Sequence, residues 1–111
     1  MSNIETVRKF YELFEAQNAD AAAAMLAPGF TFTSPQDDGI DADEWLRVCF
    51  PTKDHFASHT VIALVAATPD TTLLYYEYTL HDGKKYSNVE AHTVTADGKI
   101  ARVDVFFGGQ I

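Results

Sequence analysis

Two Asp-Gly pairs, Asp82-Gly83 and Asp97-Gly98, separate runs of residues in which apolar and polar side chains alternate. A short turn of this kind between alternating runs is the strongest local signal for a β-hairpin. The C-terminal half is therefore predicted to form a meander of four antiparallel strands. The predicted strands cover residues 60–67, 72–80, 85–95 and 100–107.

The N-terminal residues have helical rather than strand periodicity. Ser2 followed three residues later by Glu5 forms a capping box, which predicts that a first helix starts here. The apolar residues at the spacing of its buried stripe are Ile4, Val7, Phe10, Tyr11 and Phe14. Asn18 is positioned to cap a second, alanine-rich helix over residues 19–26.

A strand and a third helix are predicted to follow. Residues 30–33 alternate as a short strand, and residues 34–39 have the composition of a loop. Asp41 with Glu44 repeats the capping box and starts a helix that ends before Pro51. The order of elements is α-α-β-α-β-β-β-β. It predicts an α+β fold in which a curved antiparallel sheet wraps around the N-terminal helices, with residues 1–111 forming a single domain.

Composition and charge limit the classes of partner. Sixteen acidic and eight basic residues give a net charge of −8, which disfavours binding to nucleic acid or to anionic membranes. The single cysteine, Cys49, has no partner for an internal disulfide. The N-terminus lacks the apolar run of a signal peptide, and no stretch approaches the ~18 apolar residues of a spanning helix. A cytoplasmic location is expected.

The hairpin turns also predict which residues share a sheet face. Two-residue turns would place Glu77 opposite Asn88 and Glu90 opposite Val105. Polar groups set among apolar ones on a covered face are typical of a ligand pocket, although they could instead be the solvated ends of an open face. The predicted pocket face carries Leu73, Tyr75, Glu77, Tyr86, Asn88, Glu90, His92, Val103, Val105 and Phe107.

The opposite face is predicted to be too apolar for full exposure. A second copy of the chain is its simplest cover, so a homodimer through the sheet is expected. Asp104 on this face is expected to pair with Arg102 or with a residue of the partner chain. The residues assigned to this face are Leu74, Tyr76, Tyr78, Val89, Ala91, Asp104 and Phe106.

The chain resembles the nuclear-transport-factor-2-like superfamily, and within it the SnoaL-like polyketide cyclase and ketosteroid isomerase branches. The resemblance covers nearly the whole chain. Four segments carry it by their order and spacing: KFYEL at 9–13, NAD at 18–20, MLA at 25–27 and NVEAHTVTADGKIARVDVFFG at 88–108. It implies a cystatin-like cone with a cavity between helices and sheet, commonly dimerised through the sheet.

Two of the catalytic positions implied by the resemblance hold the wrong residue type. The isomerases use a tyrosine on the first helix and a protonated acid on the sheet to hold an oxyanion, and a second carboxylate to move the proton. The tyrosine position falls on Phe10 and the base position on Ser34, whereas the sheet acid is retained as Glu90. Steroid isomerisation by that mechanism is therefore not expected, although Asp38 in the adjoining loop could replace the missing base.

Glu90 is the leading candidate for acid–base chemistry. Burial beneath the helices would raise its pKa, and His92, two residues further along the same face, could pair with it or be the base itself. A solvated carboxylate and a structural histidine are the alternatives. The expected ligand-contacting residues are Phe10, Phe14, Trp45, Tyr75, Glu77, Asn88, Val105 and Phe107.

Two functional hypotheses follow. The first is a cofactor-free isomerase or cyclase that acts on a compact, largely apolar metabolite through Glu90, assisted by His92 or Asp38. The second is a non-catalytic ligand-binding or dimerisation module with the same fold. The four histidines lack the spacing of a metal site, so neither a metal nor a cofactor is expected.

Overall fold

A computed structural model describes residues 2–111 and confirms the α+β class, with N-terminal helices packed against a curved, six-stranded open sheet. Among these residues, no helix is both long and apolar enough to cross a bilayer. The elements are α1 (Asn3–Glu15), α2 (Ala19–Ala24), β1 (Leu26–Ser34), β2 (Asp37–Ile40), α3 (Ala42–Val48), a 3-10 helix (Phe50–His55), β3 (Phe56–Ala66), β4 (Thr71–Leu80), β5 (Lys85–Val94) and β6 (Ile100–Gln110).

The sheet has the strand order β2-β1-β6-β5-β4-β3. Neighbouring strands are antiparallel except β1 and β6, which are parallel. The helices cover one face of this sheet, which we call the inner face, and the apolar core lies between the two layers. The buried core residues are Val7, Phe10, Leu13, Ala22, Phe30, Phe32, Trp45, Phe50, Val94, Ile100, Val103 and Val105.

The predicted helix caps are confirmed. The side chains of Ser2, Asn18 and Asp41 each accept a hydrogen bond from the backbone N–H three residues further along the chain. Such a bond satisfies one of the four backbone donors that a helix leaves free at its N-terminus. The cap at Asp41 has a direct consequence for the site, because it fixes the start of the short helix that carries Trp45.

The N-terminal strands differ from the prediction. Strand β1 starts at Leu26 rather than at residue 30, because the backbone here pairs with β6, where the Ile100 N–H donates to the Met25 carbonyl at 2.8 Å. Pro28 is tolerated because it lies where the register shifts. Residues 37–39, expected to be part of a loop, instead form strand β2 together with Ile40, and this strand pairs with β1. In both places pairing in the folded sheet overrides local composition.

In the hairpin between β4 and β5, the pairing register differs by one residue from the predicted register. The Leu80 N–H donates to the Lys84 carbonyl at 2.9 Å, so the loop contains three residues rather than two. Gly83 ends the loop with a φ of 88°, a conformation that glycine adopts without strain. A slip of one residue turns every side chain of β4 to the other face. The expected positions of Tyr75 and Glu77 in the pocket are therefore wrong.

The hairpin between β5 and β6 has the predicted pairing register, although its loop is longer than predicted. Its loop also contains three residues, because the Thr95 N–H donates to the Lys99 carbonyl at 2.8 Å. A bulge between Thr93 and Val94 adds one residue and cancels the slip. The predicted pairing of Glu90 with Val105 is therefore confirmed.

Replacing Asp41 with alanine is expected to lower the free energy of unfolding by about 1 kcal/mol, because the first turn of α3 loses its cap. Urea unfolding followed by the fluorescence of Trp45, the single tryptophan, measures the change. Asp43→Ala is the matched control, since it removes a charge from the same turn without removing a cap. Equal destabilisation by the two variants would contradict the role given to Asp41.

Candidate functional site

A cavity of about 100 Å³ lies between the helices and the inner face of the sheet. Its volume is well below the ~300 Å³ at which pockets for drug-sized ligands begin, and is closer to the cavities that hold a single aromatic ring. The cavity is lined by Phe10, Tyr11, Phe14, Phe32, Trp45, Cys49, Thr52, Phe56, His59, Leu74, Glu90, His92 and Val103.

One side of the cavity is an aromatic wall built around Trp45. The indole stacks on Phe10 with ring centroids 5.4 Å apart, and Phe50 packs against it edge-to-face at 5.6 Å. Helix α1 supplies Phe10 and helix α3 supplies Trp45, so both covering helices contribute. Aromatic pairs in this geometry are stabilising beyond the area they bury. The wall is therefore rigid, apolar and suited to the face of a flat ligand.

The opposite side is built around the Glu90 carboxylate. Its Oε2 accepts a hydrogen bond from the Tyr76 hydroxyl at 2.8 Å, and its Oε1 lies 3.0 Å from His92 Nε2. Asn88 Nδ2 in turn donates to the Tyr76 hydroxyl oxygen at 3.1 Å. Strand β5 supplies Asn88, Glu90 and His92 at alternate positions, and β4 supplies Tyr76. The carboxylate is thus held by two side chains while it still lines the cavity.

The pKa of Glu90 shifts in the direction opposite to the one expected. Burial raises this pKa, but the hydrogen bond and positive charge of His92 and the hydrogen bond from Tyr76 lower it, and the net pKa lies below the ordinary value for glutamate. The predicted rise in the pKa of Glu90 is wrong, because it was based on desolvation alone. Glu90 is therefore ionised at neutral pH, and its side chain retains 23% exposure through which a ligand can approach.

His92 is buried, and its second ring nitrogen, Nδ1, has no hydrogen-bond partner among residues 2–111. Phe10 packs edge-to-face against the ring at 6.1 Å. The expectation that His92 pairs with Glu90 matches this geometry. With one nitrogen directed at the carboxylate and the ring held by Phe10, His92 fixes the position of Glu90.

A second polar cluster on the cavity wall was not predicted. His59 of β3 lies on the inner face, with Nδ1 2.5 Å from the Tyr11 hydroxyl and 3.2 Å from Glu15 Oε1. Burial, followed by the Glu15 charge, raises the pKa of Tyr11, and burial lowers the pKa of His59. The alternation of β3 could have indicated the face of His59, but the contact with α1 depends on how the helix crosses the sheet.

Asp38 does not reach the cavity. Its side chain is exposed on β2, whereas the adjacent Asp37 turns inward. Asp37 Oδ2 accepts from the Ser34 hydroxyl at 3.0 Å and lies 3.9 Å from the thiol of Cys49, which does line the cavity. Burial and the Asp37 charge raise the pKa of this thiol to about 12. The proposed replacement of the base at Ser34 by Asp38 therefore lacks the required geometry.

The other predicted ligand contacts divide into three groups. Phe10, Phe14 and Trp45 line the cavity as expected. Three further residues lie on the inner face but do not line the cavity: Asn88, Val105 and Phe107. Asn88 instead donates a hydrogen bond to the Tyr76 hydroxyl. Tyr75 and Glu77 point to the opposite, outer face because of the slipped register. Within residues 2–111, no group of three or more His, Cys, Asp or Glu side chains is arranged to hold a metal ion.

The family of the chain is shown by its sequence. The model of the SnoaL-like domain family matches residues 7–103, and the chain belongs to this family. The resemblance to the nuclear-transport-factor-2-like superfamily is thereby confirmed. No curated protein matches the chain.

Solved structures with low sequence identity share the fold. An NTF2-like protein of unknown function from Cytophaga hutchinsonii has a TM-score of 0.77 at 18% identity, covering 96% of this chain and 90% of its own. A steroid delta-isomerase from Pseudomonas aeruginosa has a TM-score of 0.79 at 15% identity, covering 98% and 82%. An LEH-like epoxide hydrolase from M. tuberculosis has a TM-score of 0.74 at 13% identity, covering 95% and 81%. These similarities show the fold and leave the chemistry to the site.

Replacing Tyr76 with phenylalanine is expected to cost about 2 kcal/mol of the free energy of unfolding at pH 7, because a hydrogen bond to a charged group is lost. The folded-state pKa of Glu90 is lowered, so the ionised carboxylate stabilises the fold above the ordinary glutamate pKa. This stabilisation disappears as the pH falls through the lowered pKa. The cost of Tyr76→Phe should therefore shrink at acid pH.

Urea unfolding of the wild type and the variant between pH 7 and pH 3 measures this dependence. Tyr75→Phe is the matched control, because Tyr75 is the neighbouring residue on the outer face. A cost for Tyr76→Phe that does not change with pH would contradict the hydrogen bond to an ionised Glu90.

Proposed function

We propose that the chain catalyses cofactor-free proton transfer at a carbon next to a carbonyl group, with Glu90 as the base. The observation that carries the proposal is an ionised carboxylate, fixed by Tyr76 and His92, that faces an aromatic cavity. Carboxylates with pKa values close to the ordinary range act as general bases in this class of reaction. One structural neighbour is a steroid delta-isomerase, and isomerisation agrees with this chemistry.

The proposed reaction is a shift of a proton between two carbons. Glu90 removes the proton, the C–H electron pair becomes the C=C bond of an enolate, and the carbonyl oxygen takes the negative charge. Tyr11 lines the cavity, and its raised pKa keeps its hydroxyl protonated, so this hydroxyl is available to donate to the enolate oxygen. When the ketone carries a C=C bond at the β,γ position, the enolate is conjugated with that bond. The Glu90 carboxylic acid then returns the proton to the γ carbon, the C=C bond moves to the α,β position, and the carboxylate is regenerated.

The cavity also suggests the size of the substrate. A volume of about 100 Å³ with an aromatic wall around Trp45 suits one ring rather than a fused-ring steroid. The ring would lie on the wall formed by Phe10 and Trp45 and present its acidic C–H to the opposite side. We therefore propose a compact, unsaturated cyclic ketone as the substrate class.

A non-catalytic binding module is the second candidate, and one observation favours it. Both oxygens of Glu90 already have partners, and those partners lower its pKa, which weakens it as a base. Under this alternative, the carboxylate would anchor a hydrogen-bond donor of a bound ligand. Turnover separates the two functions, because binding alone does not exchange a carbon-bound proton.

Exchange of the α-protons of cyclopentanone in D2O, followed by proton NMR, tests the catalytic proposal. The protein should accelerate exchange above the buffer rate, and Glu90→Gln should reduce the acceleration about 100-fold, because the base is lost. Glu77→Gln is the matched control, since it neutralises a carboxylate on the outer face and should leave exchange unchanged. Binding of the ketone without accelerated exchange would instead support the binding module.

We also propose that two copies of the chain associate through the outer face of the sheet. Ala63, Tyr75, Val89 and Phe106 form a row across four adjacent strands on this face. The Phe106 side chain is 60% exposed, and Ile62 and Val65 lie exposed nearby. A continuous apolar row on one face of an antiparallel sheet favours burial against a second sheet. A copy of the same chain supplies that surface by two-fold symmetry.

Replacing Phe106 with glutamate should convert the dimer to a monomer, because a charge would be buried at the centre of the interface. Light scattering coupled to size exclusion gives the mass. Ile111→Glu is the control, because Ile111 has the same 60% exposure but lies at the C-terminus, outside the row. A monomeric mass for the wild-type protein would refute the proposed association.

A further inference from the structure

The His59 ring is fixed in position inside the cavity. Its side chain is only 8% exposed. Tyr11 stacks on it with centroids 5.3 Å apart, and Tyr76 packs against it at 4.5 Å. Tyr76 also donates a hydrogen bond to Glu90, so the His59 ring and the Glu90 carboxylate lie on the same side of the cavity.

The environment of Nδ1 determines which nitrogen carries the hydrogen. Nδ1 lies 2.5 Å from the Tyr11 hydroxyl oxygen and 3.2 Å from Glu15 Oε1. A carboxylate can only accept a hydrogen bond, so a lone pair on Nδ1 would face it unfavourably. The repulsion between such a lone pair and the carboxylate favours the hydrogen on Nδ1, from which it is donated to the Tyr11 hydroxyl oxygen, since Glu15 Oε1 accepts no hydrogen bond; a lone pair is left on Nε2. None of residues 2–111 forms a side-chain hydrogen bond to Nε2 in this structure.

The charges around the ring keep this arrangement at neutral pH. Burial lowers the pKa of His59, Glu15 and Glu90 act to raise it, and Lys53 acts to lower it. The net direction is downward, so the imidazole is neutral. Tyr11, the nearest hydroxyl, also stays protonated. Nε2 is then a hydrogen-bond acceptor on a ring that lines an otherwise largely aromatic cavity.

We propose that His59 Nε2 binds a hydroxyl group of the ligand, so that the cavity selects a compact hydroxylated ring. This inference rests on the proposed function for the substrate ring and adds a specificity-determining residue to it. The ring would lie against Trp45, and its hydroxyl would donate to Nε2 on the opposite wall. Glu15 is then a positioning residue for the imidazole, and Tyr11 orients the same ring while its hydroxyl faces the enolate oxygen.

Phenol and toluene form a matched pair of probes, since they differ by a hydroxyl in place of a methyl of similar size. Their dissociation constants are measured by ligand-observed NMR with the wild-type protein, His59→Phe and Glu90→Gln. Without the acceptor, burying the hydroxyl is unfavourable. His59→Phe should therefore lower the phenol-to-toluene affinity ratio about tenfold, and by more than Glu90→Gln does. His55→Phe, at an exposed histidine, controls for the substitution.

A measurement on the wild-type protein covers the case in which His59→Phe does not fold. The nitrogen-15 resonance of His59 Nε2 should move when phenol binds and stay in place when toluene binds. A ratio that falls in Glu90→Gln but not in His59→Phe would overturn the proposal, because the hydroxyl would then donate to Glu90. Failure of both probes to bind would overturn it as well. A wild-type protein that shows no preference for phenol over toluene but still accelerates ketone exchange would reject this inference and leave the proposed function standing.

Discussion

The register between β4 and β5 is the constraint on which the site depends. A three-residue loop ending in the left-handed Gly83 places Tyr76 opposite Asn88 and Leu74 opposite Glu90. Tyr76 thereby faces the cavity side of the sheet, and its hydroxyl reaches the Glu90 carboxylate. A two-residue loop would turn the same strand over and bring Tyr75 and Glu77 inward instead. Two carboxylates would then share the inner face, and Glu90 would lack the Tyr76 hydroxyl that stabilises it together with His92.

The chemistry of the cavity follows from how its single carboxylate is stabilised. Burial of an ionised group is unfavourable unless hydrogen bonds and opposite charge replace the lost water. Tyr76 and His92 supply these interactions to Glu90, and they lower its pKa more than burial raises it. The result differs from a protonated sheet acid that donates to an oxyanion. It favours a base or an anchor, and the donor that we propose for the enolate oxygen is then the Tyr11 hydroxyl.

Local sequence signals predicted the parts of the fold that local physics determines. The caps at Ser2, Asn18 and Asp41 and the four-stranded meander are examples, as is the pairing of Glu90 with Val105. The loop length at Gly83 was not encoded by its Asp-Gly pair alone, since both loop types accept a glycine at this position. The His59 cluster depends on the crossing of α1 over β3, a contact between residues far apart in the chain. Contacts of this kind leave no periodic pattern in the amino-acid sequence, so the sequence alone does not predict them.

The proposed chemistry of the cavity depends most directly on the ionisation of Glu90. A carbon-13 NMR titration of the side-chain carboxyl groups, with Glu90→Gln to assign the resonance, reports its pKa in the folded protein. We expect the titration of Glu90 to have a midpoint below the ordinary glutamate value of 4.5, because His92 and Tyr76 stabilise the charged form. A midpoint at or above that value would show that desolvation dominates, and would contradict the assignment of Glu90 as a fixed, ionised base.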